Sequence, residues 1–352
     1  MSFKYLVAKP NLTGRELDYV TDGIQDGWIS SQGPHVRMFE KAFAGYNGKQ
    51  HGVACSSGTS ALMLALRALR IGPGDEVLVP EFTMVASAWA VTYVGATPVF
   101  VDCGDDLNID TDELERKITP RTKAIMPVHI YGRRCDMDRI MRLAYEYNLR
   151  VVEDSAEAHG VPPVGDIACF SLYANKIITA GEGGICVTDD PRLADQLRHL
   201  RSMGFSEKHD FLHRKLAYNC RMTDMQAAVA LAQTESLDMF LAERKEIERR
   251  YDEGLAGTPG LTLMPPRDVL WVYDVLADRR DDLRDFLAAE GIETRPFFRP
   301  MSQQPEYFDE GWPQLNATRF SDHGLYLPTY VGLTASDQDY VIGKVRDFCG
   351  AH

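Results

Sequence analysis

Between His51 and Glu153 the chain alternates short apolar runs with longer amphipathic ones. The runs His51–Cys55, Glu76–Val79, Thr97–Val101, Lys123–Ile130 and Arg150–Glu153 are strand-length and rich in Val and Ile, and they read as strands. Ser60–Leu69, Met84–Tyr93, Asp112–Ile118 and Asp136–Asn148 fall between them and read as helices. The first of these, Ser-Ala-Leu-Met-Leu-Ala-Leu-Arg-Ala-Leu, is built of strong helix formers. Gly72-Pro73-Gly74-Asp75 marks a turn, and Ile185–Val187 reads as a further strand. Strands alternating with helices imply an α/β fold with a mainly parallel sheet covered on both faces. Ligands in such sheets gather at the carboxyl ends of the strands. Ser56-Ser57, Glu81, Asp102, His129, Tyr131 and Asp154 all fall at or near those ends.

From Asp224 to about Leu255 a single long helical pattern is predicted, apolar at first and then charged through Glu243–Arg250. A helix that changes character in this way suits a bridge between domains. Gly254, Gly257, Pro259 and Gly260 follow it. The expected division is a large domain over residues 1–250 and a smaller α+β domain over 251–352. The smaller domain is expected to hold strands near Leu261 and Trp271 and helices at Asp281–Glu290 and Ser336–Phe348.

Composition narrows the class. With 352 residues, two domains are the expectation. No apolar run approaches the ~20 residues of a spanning helix, and the N-terminus lacks a signal-peptide pattern, so a soluble cytoplasmic protein is the default. The net charge of −13 argues against a general nucleic-acid or anionic-membrane surface. It leaves room for a local basic pocket, for which Arg133-Arg134, the cluster from Arg192 to Arg201, and Arg295 with Arg299 are candidates. Taken singly, each is more simply a solvated face. The seven cysteines are scattered, odd in number and without a C-x-x-C, so neither disulfides nor zinc are expected. His209 and His213 have helical i,i+4 spacing but lack a metalloprotease Glu, and no metal is expected.

The candidate chemistry centres on Lys176, which lies 22 residues beyond Asp154 and just before Gly181-Glu182-Gly183-Gly184. A lysine amine can form a Schiff base with an aldehyde cofactor, and an Asp at a strand end can keep a pyridine nitrogen protonated. That is the protein's share of pyridoxal 5′-phosphate chemistry. Glu157 could reach the ring oxygen. The turn Cys55-Ser56-Ser57-Gly58-Thr59-Ser60 leads a strand into a helix, where free N–H groups and hydroxyls suit a phosphate. Alone, each feature has an ordinary reading: an exposed turn lysine, an Asp capping a turn, a Ser at a helix start.

Taken together, several segments strongly resemble the DegT/DnrJ/EryC1/StrS family of sugar aminotransferases. They are Gly27–Pro34, Ser56–Leu62, Glu153–Gly160, Phe170–Gly184 and Tyr218–Asp224, in that order, with Glu293–Phe298 fitting as well. The Glu-Ala-His-Gly and Tyr-Ala-Asn-Lys variants look most like a branch that acts on a GDP-linked sugar. The resemblance implies the aspartate-aminotransferase-like fold (PLP fold type I) and a homodimer with shared active sites. It implies Lys176 as Schiff-base lysine and proton shuttle, with Asp154 on the pyridine nitrogen and Glu157 by the ring oxygen. Ser57, Gly58, Thr59 and Ser171 are implied at the phosphate, and Asn219 at the phosphate of the partner's cofactor. Met84 takes a position that often carries a stacked aromatic residue. Trp28, Ser30, His159 and Arg299 are implied as substrate contacts. The implied substrates are L-glutamate, leaving as 2-oxoglutarate, and a 4-keto-6-deoxy sugar on a nucleotide diphosphate.

The chain departs from the family pattern in a short Gly160–Asp166 link, a short stretch around 257–275, and Ser302 where many relatives carry His. The Ser302 segment is expected to line the substrate pocket. Relatives that dehydrate sugars replace the lysine with His, so Lys176 argues against that activity. A cofactor-bound regulatory protein and a nicotinamide-dependent dehydrogenase are the rival readings. The second would want a Gly-rich turn that Ser56-Ser57-Gly58-Thr59 does not provide.

Overall fold

The computed structural model describes residues 3–12, 14–205, 211–213, 215–308 and 315–350; His209 lies outside them. Two N-terminal helices, α1 (Arg15–Gln25) and α2 (Pro34–Tyr46), precede an alternating stretch. This runs β1 (His51–Cys55), α3 (Gly58–Ala68), β2 (Glu76–Pro80), α4 (Val85–Tyr93), β3 (Thr97–Val101), α5 (Thr111–Arg116) and β4 (Thr122–Ile125). It continues through α6 (Met137–Glu146), β5 (Arg150–Asp154), β6 (Ile167–Ser171), β7 (Gly184–Thr188) and α7 (Pro191–Arg201). Two helices follow, α8 (Asp224–Glu235) and α9 (Leu237–Leu255). The remainder comprises β8 (Leu261–Leu263), β9 (Tyr273–Ala277), α10 (Arg280–Ala289), β10 (Arg295–Pro296), α11 (Asn316–His323), β11 (Gly324–Leu327) and α12 (Ala335–Gly350).

Seven strands form one sheet in the order β1-β7-β6-β5-β4-β2-β3. Only β7 runs against the rest. Val77, Leu78 and Val79 are fully buried, as expected of a strand covered by helices on both faces. Four strands form a second, antiparallel sheet, β10-β11-β9-β8. Its core gathers Tyr251, Tyr273, Val275, Leu283, Leu325 and Val341.

Two expectations are corrected. The strand over Lys123–Ile130 ends at Ile125, because Pro127 has no N–H to continue the ladder. The helical pattern from Asp224 to Leu255 is two helices meeting at Ser236, whose φ of −100° and ψ of 1° depart from helical geometry. The charged run Glu243–Arg250 lies within α9, so the change of character does not mark the junction.

The two sheets are tied by a buried ion cluster. Arg133, after β4, meets the Asp274 carboxylate on β9 at 2.9 Å and donates to the Pro265 carbonyl at 2.9 Å. Arg267 donates to the other Asp274 oxygen at 2.7 Å and to Glu248 on α9 at 2.9 Å. Burial pushes the Asp274 carboxyl upward, but the Arg133 and Arg267 charges outweigh it and hold the group below its ordinary range. Removing the shared carboxylate leaves two guanidinium groups facing each other inside the protein. The expected outcome for Asp274→Ala is a loss of about 3–5 kcal/mol in unfolding free energy at neutral pH, measured by urea denaturation. A loss below about 1 kcal/mol, the worth of a surface pair, would contradict this role.

Candidate active site

Strand ends and helix starts converge on a cavity of about 390 Å³ lined by Ser57, Gly58, Thr59, Met84, Asp154, Glu157, Ser171 and Lys176, all expected from sequence. Trp271, Arg295, Phe298 and Tyr326 of the second sheet region close it from the other side. The cavity lies at the carboxyl ends of β1, β2, β5 and β6, where an α/β sheet offers loops and helix N-termini.

Lys176 is nearly enclosed, with its side chain 12% exposed. Its Nζ stands 3.9 Å from Glu157 Oε1 and 3.9 Å from the centre of the Trp271 ring. Trp271 is held in turn: its indole N–H donates to the Asn175 carbonyl at 2.7 Å, and its own carbonyl accepts from Arg244 at 2.9 Å. Burial lowers the Lys176 pKa, and the charges of Glu157 and Asp154 pull it back only in part. Burial likewise raises Glu157, against the pull of the Lys176 charge and the Tyr131 N–H bond at 2.9 Å. Tyr131 itself sits at φ 53°, a left-handed conformation that bulky residues seldom adopt, and this aims its N–H at Glu157.

Asp154 ends β5 and is 5% exposed. One carboxylate oxygen accepts from Ser87 Oγ at 2.7 Å, the other from the Ala156 N–H at 3.1 Å. Burial raises its pKa despite those bonds, so it is a carboxyl short of a cation. Its neighbour Glu153 points to the opposite face, as strand alternation requires. There Glu153 bonds His129 at 2.9 Å and the Val164 N–H at 2.7 Å, which anchors the short 160–166 link.

The phosphate end is built on α3. Ser57 is its cap, with Oγ accepting from the Ser60 N–H at 3.1 Å. A helix leaves its first N–H groups without intrahelical acceptors, here those of Gly58 and Thr59. A Cβ on Gly58 would lie 2.8 Å from the Ser171 Cβ, so only glycine lets this helix start close against β6. These residues fit pyridoxal 5′-phosphate: N–H groups and hydroxyls for a phosphate, a cation-seeking buried Asp154 for a ring nitrogen, and an enclosed amine for an aldehyde.

Other expectations fare differently. His159 does not line the cavity; it is fully buried with its ring against Phe43 and Phe170, so it has no path to substrate. Arg299 is exposed and outside the lining, and Arg295 is the guanidinium that lines it. Ser302 is 5% exposed and also outside the lining; its N–H donates to the buried Glu81 carboxylate at 2.7 Å, and its hydroxyl donates to the same oxygen. Trp28, Ser30 and Asn219 are exposed and stand outside the cavity of their own chain. Sequence reasoning missed Ser87 and Trp271. Ser87 had a signal, a hydroxyl in the first turn of an otherwise apolar helix, four residues after Thr83.

The buried His159 carries a pH consequence. Burial, with the Lys176 charge added, lowers its pKa to about 3 from the ordinary 6.5. Between those values the unfolded chain binds a proton that the folded chain does not. The His159 contribution to stability is therefore present above the unfolded value and lost as pH falls through this window. In His159→Leu, the drop in urea midpoint between about pH 7 and about pH 4.5 is expected to be smaller than in the wild type. Equal drops would contradict the assignment.

Comparison with known proteins agrees with this geometry. The model of the DegT/DnrJ/EryC1/StrS aminotransferase family matches residues 10–346. The chain is 46% identical to the GDP-perosamine synthase of Caulobacter vibrioides, with 96% of each chain covered. It is 39% identical to the GDP-perosamine synthase of Escherichia coli O157:H7, with 98% of this chain and 99% of that one covered. Among solved structures, DesV of S. venezuelae superposes with a TM-score of 0.90 at 38% identity, covering 95% of this chain and 94% of that one. The PLP form of Spr1654 from Streptococcus pneumoniae superposes with a TM-score of 0.91 at 29% identity, covering 100% of this chain and 99% of that one. The cofactor is pyridoxal 5′-phosphate, and the chain belongs to the DegT/DnrJ/EryC1/StrS aminotransferase family.

Proposed function

We propose that this aminotransferase moves the amino group of L-glutamate to C4 of GDP-4-keto-6-deoxy-mannose, giving GDP-perosamine and 2-oxoglutarate. The observation that carries the choice of sugar is the identity of 46%, 39% and 37% to three GDP-perosamine synthases, each covering at least 96% of this chain.

When bound, pyridoxal 5′-phosphate supplies a carbonyl to accept the amino group and a ring to hold the electron pair of the reacting carbon. Ser57, Gly58, Thr59 and Ser171 hold its phosphate in this reading. Asp154 keeps its ring nitrogen protonated, with Ser87 and the Ala156 N–H fixing the orientation of the carboxylate. Lys176, as the neutral amine that burial favours, takes the α-proton of L-glutamate. As an ammonium it returns a proton to C4 of the sugar. It passes on the first proton before 2-oxoglutarate leaves and regains one before the sugar is protonated, and Glu157, beside it, stabilises the charged form whenever the amine holds a proton.

The proposal includes a homodimer in which Asn219, Trp28 and Ser30 serve the partner's site. It rests on their exposure outside their own cavity, and on the exposed apolar side chains Leu12, Leu17, Ile24 and Ile29 of the N-terminal region. No helix among the described residues is long and apolar enough to cross a membrane.

The test is an amino-transfer assay with L-glutamate against GDP-, UDP- and dTDP-linked 4-keto sugars. Turnover on the GDP-linked sugar is expected, and Lys176→Ala is expected to abolish it. Turnover only on a UDP or dTDP sugar would overturn the perosamine reading and leave the family assignment standing. The dTDP arm has a specific motive: a Streptomyces venezuelae dTDP-3-amino-3,4,6-trideoxy-alpha-D-glucose transaminase is 40% identical over 90% of this chain.

A further inference from the structure

Among the described residues that this chain gives to the Lys176 cavity, the cations are Lys176 and Arg295. Lys176 serves the cofactor and the proton transfers. Both substrates of the proposed reaction carry negative charge away from the reacting carbon. L-Glutamate brings a side-chain carboxylate, and the nucleotide sugar brings a diphosphate. They occupy the cavity in turn, because each reacts with the same cofactor. Arg295 is therefore the cation of this lining that is left to meet either charge.

Its placement leaves it free to do so. Arg295 stands on β10, the edge strand of the second sheet, directly opposite Tyr326 on β11. Opposite residues of an antiparallel pair share a face, and both line the cavity. The Arg295 guanidinium meets Glu293 Oε1 at 3.3 Å, with its side chain half-exposed. That is long beside the roughly 2.7–2.9 Å of a charge-assisted bond. Glu293 is fixed elsewhere, since its other oxygen accepts from the Val7 N–H at 2.9 Å. Arg295 is thus a loosely held cation with most of its N–H fork unspent. Burial pushes the Tyr326 phenol up to about 12, against the pull of the Arg295 charge. The hydroxyl keeps its proton at neutral pH and can donate it to an anion held by Arg295.

The two substrates present their charge at similar reach. In L-glutamate the side-chain carboxyl carbon stands three bonds from the α-carbon that reacts. In a 4-keto sugar the anomeric carbon, which bears the diphosphate, stands three bonds from C4. The phosphate lies slightly further out, beyond the anomeric oxygen. A half-exposed arginine side chain on an edge strand can take up that difference by changing rotamer.

We propose that Arg295, with the Tyr326 hydroxyl beside it, is one anion anchor used by both half-reactions: it holds the side-chain carboxylate of L-glutamate and then the diphosphate of the nucleotide sugar. A guanidinium fork suits both, because carboxylate and phosphate each accept paired N–H bonds. The inference rests on the proposed reaction for its two substrates, but not on which nucleotide carries the sugar. It also gives Arg295 the substrate contact that the sequence reading assigned to Arg299.

The test compares wild type, Arg295→Ala and Arg295→Lys, each loaded with pyridoxal 5′-phosphate. The first half-reaction is followed by the cofactor's visible absorbance, with L-glutamate and with L-norvaline, in which a methyl group replaces the side-chain carboxylate. In Arg295→Ala the preference for L-glutamate over L-norvaline is expected to fall about ten-fold or more. The rate with L-norvaline is expected to stay within a few fold of wild type, which separates a lost contact from a damaged fold. Arg295→Lys keeps the charge without the fork and is expected to retain part of the preference. GDP and UDP are expected to inhibit the wild-type half-reaction in competition with L-glutamate. Calorimetric titration of the same nucleotides, which needs no turnover, is expected to show about ten-fold weaker binding or more in Arg295→Ala. An unchanged preference in Arg295→Ala would overturn the proposal, and so would an equal loss with both amino acids. Inhibition that is absent, or not competitive with L-glutamate, or nucleotide binding unmoved in Arg295→Ala, would overturn the sharing and with it the proposal. Failure of the perosamine reading is distinct: turnover then moves to a UDP- or dTDP-linked sugar while the amino-acid preference still depends on Arg295.

Discussion

The structure is organised around one conflict: a lysine amine enclosed with two buried carboxylates. Burial alone would strip Lys176 of its proton and would protonate Asp154 and Glu157. The mutual charges pull all three back. Burial prevails in each, so all three lie nearer their neutral forms than they would in water, which suits proton-transfer chemistry. Each partner is fixed by something outside the conflict. Asp154 is held by Ser87, Glu157 by the Tyr131 N–H, and Lys176 lies on the face of Trp271. The cation–π contact gives the ammonium form a place to rest without adding a third carboxylate.

The fold makes this possible by bringing parts of the chain together from both sheets. Asp154 and Ser171 come from the ends of β5 and β6, the phosphate cup from the start of α3, and Trp271 from the approach to β9. Trp271 can close the cavity only if the second sheet is held in register with the first. The Arg133–Asp274–Arg267 cluster does this by placing one carboxylate between guanidinium groups from the two parts. The Glu81–Ser302 contact adds a second tie, from the end of β2 to the chain after β10.

Much of this was legible in the sequence wherever the signal was local. The β1–α3 turn, the Asp154 strand end and the Lys176 turn each carry their chemistry within a few residues, and the cavity brings them together as expected. Features set by tertiary packing were not legible. Trp271 lies 95 residues from Lys176 in sequence, and nothing around it announces a role there. His159 follows Glu157 by two residues and shares its segment, yet its side chain turns into the aromatic core. Arg295 and Arg299 look alike in sequence, and only the register of β10 beside β11 decides which one faces the cavity. The helical pattern from Asp224 to Leu255 runs on through Ser236 and changes character only later, at Glu243, so the break at Ser236 left no mark that periodicity could detect.

The central claim is that the cavity holds Lys176 as an amine more readily than water would. The direct measurement is the pH dependence of Lys176 acylation in cofactor-free protein, read by mass spectrometry of the peptide that contains it. The account predicts a midpoint below the ordinary 10.5, and a lower one still in Glu157→Gln, where the nearer opposing charge is gone. A midpoint at or above 10.5 would contradict it.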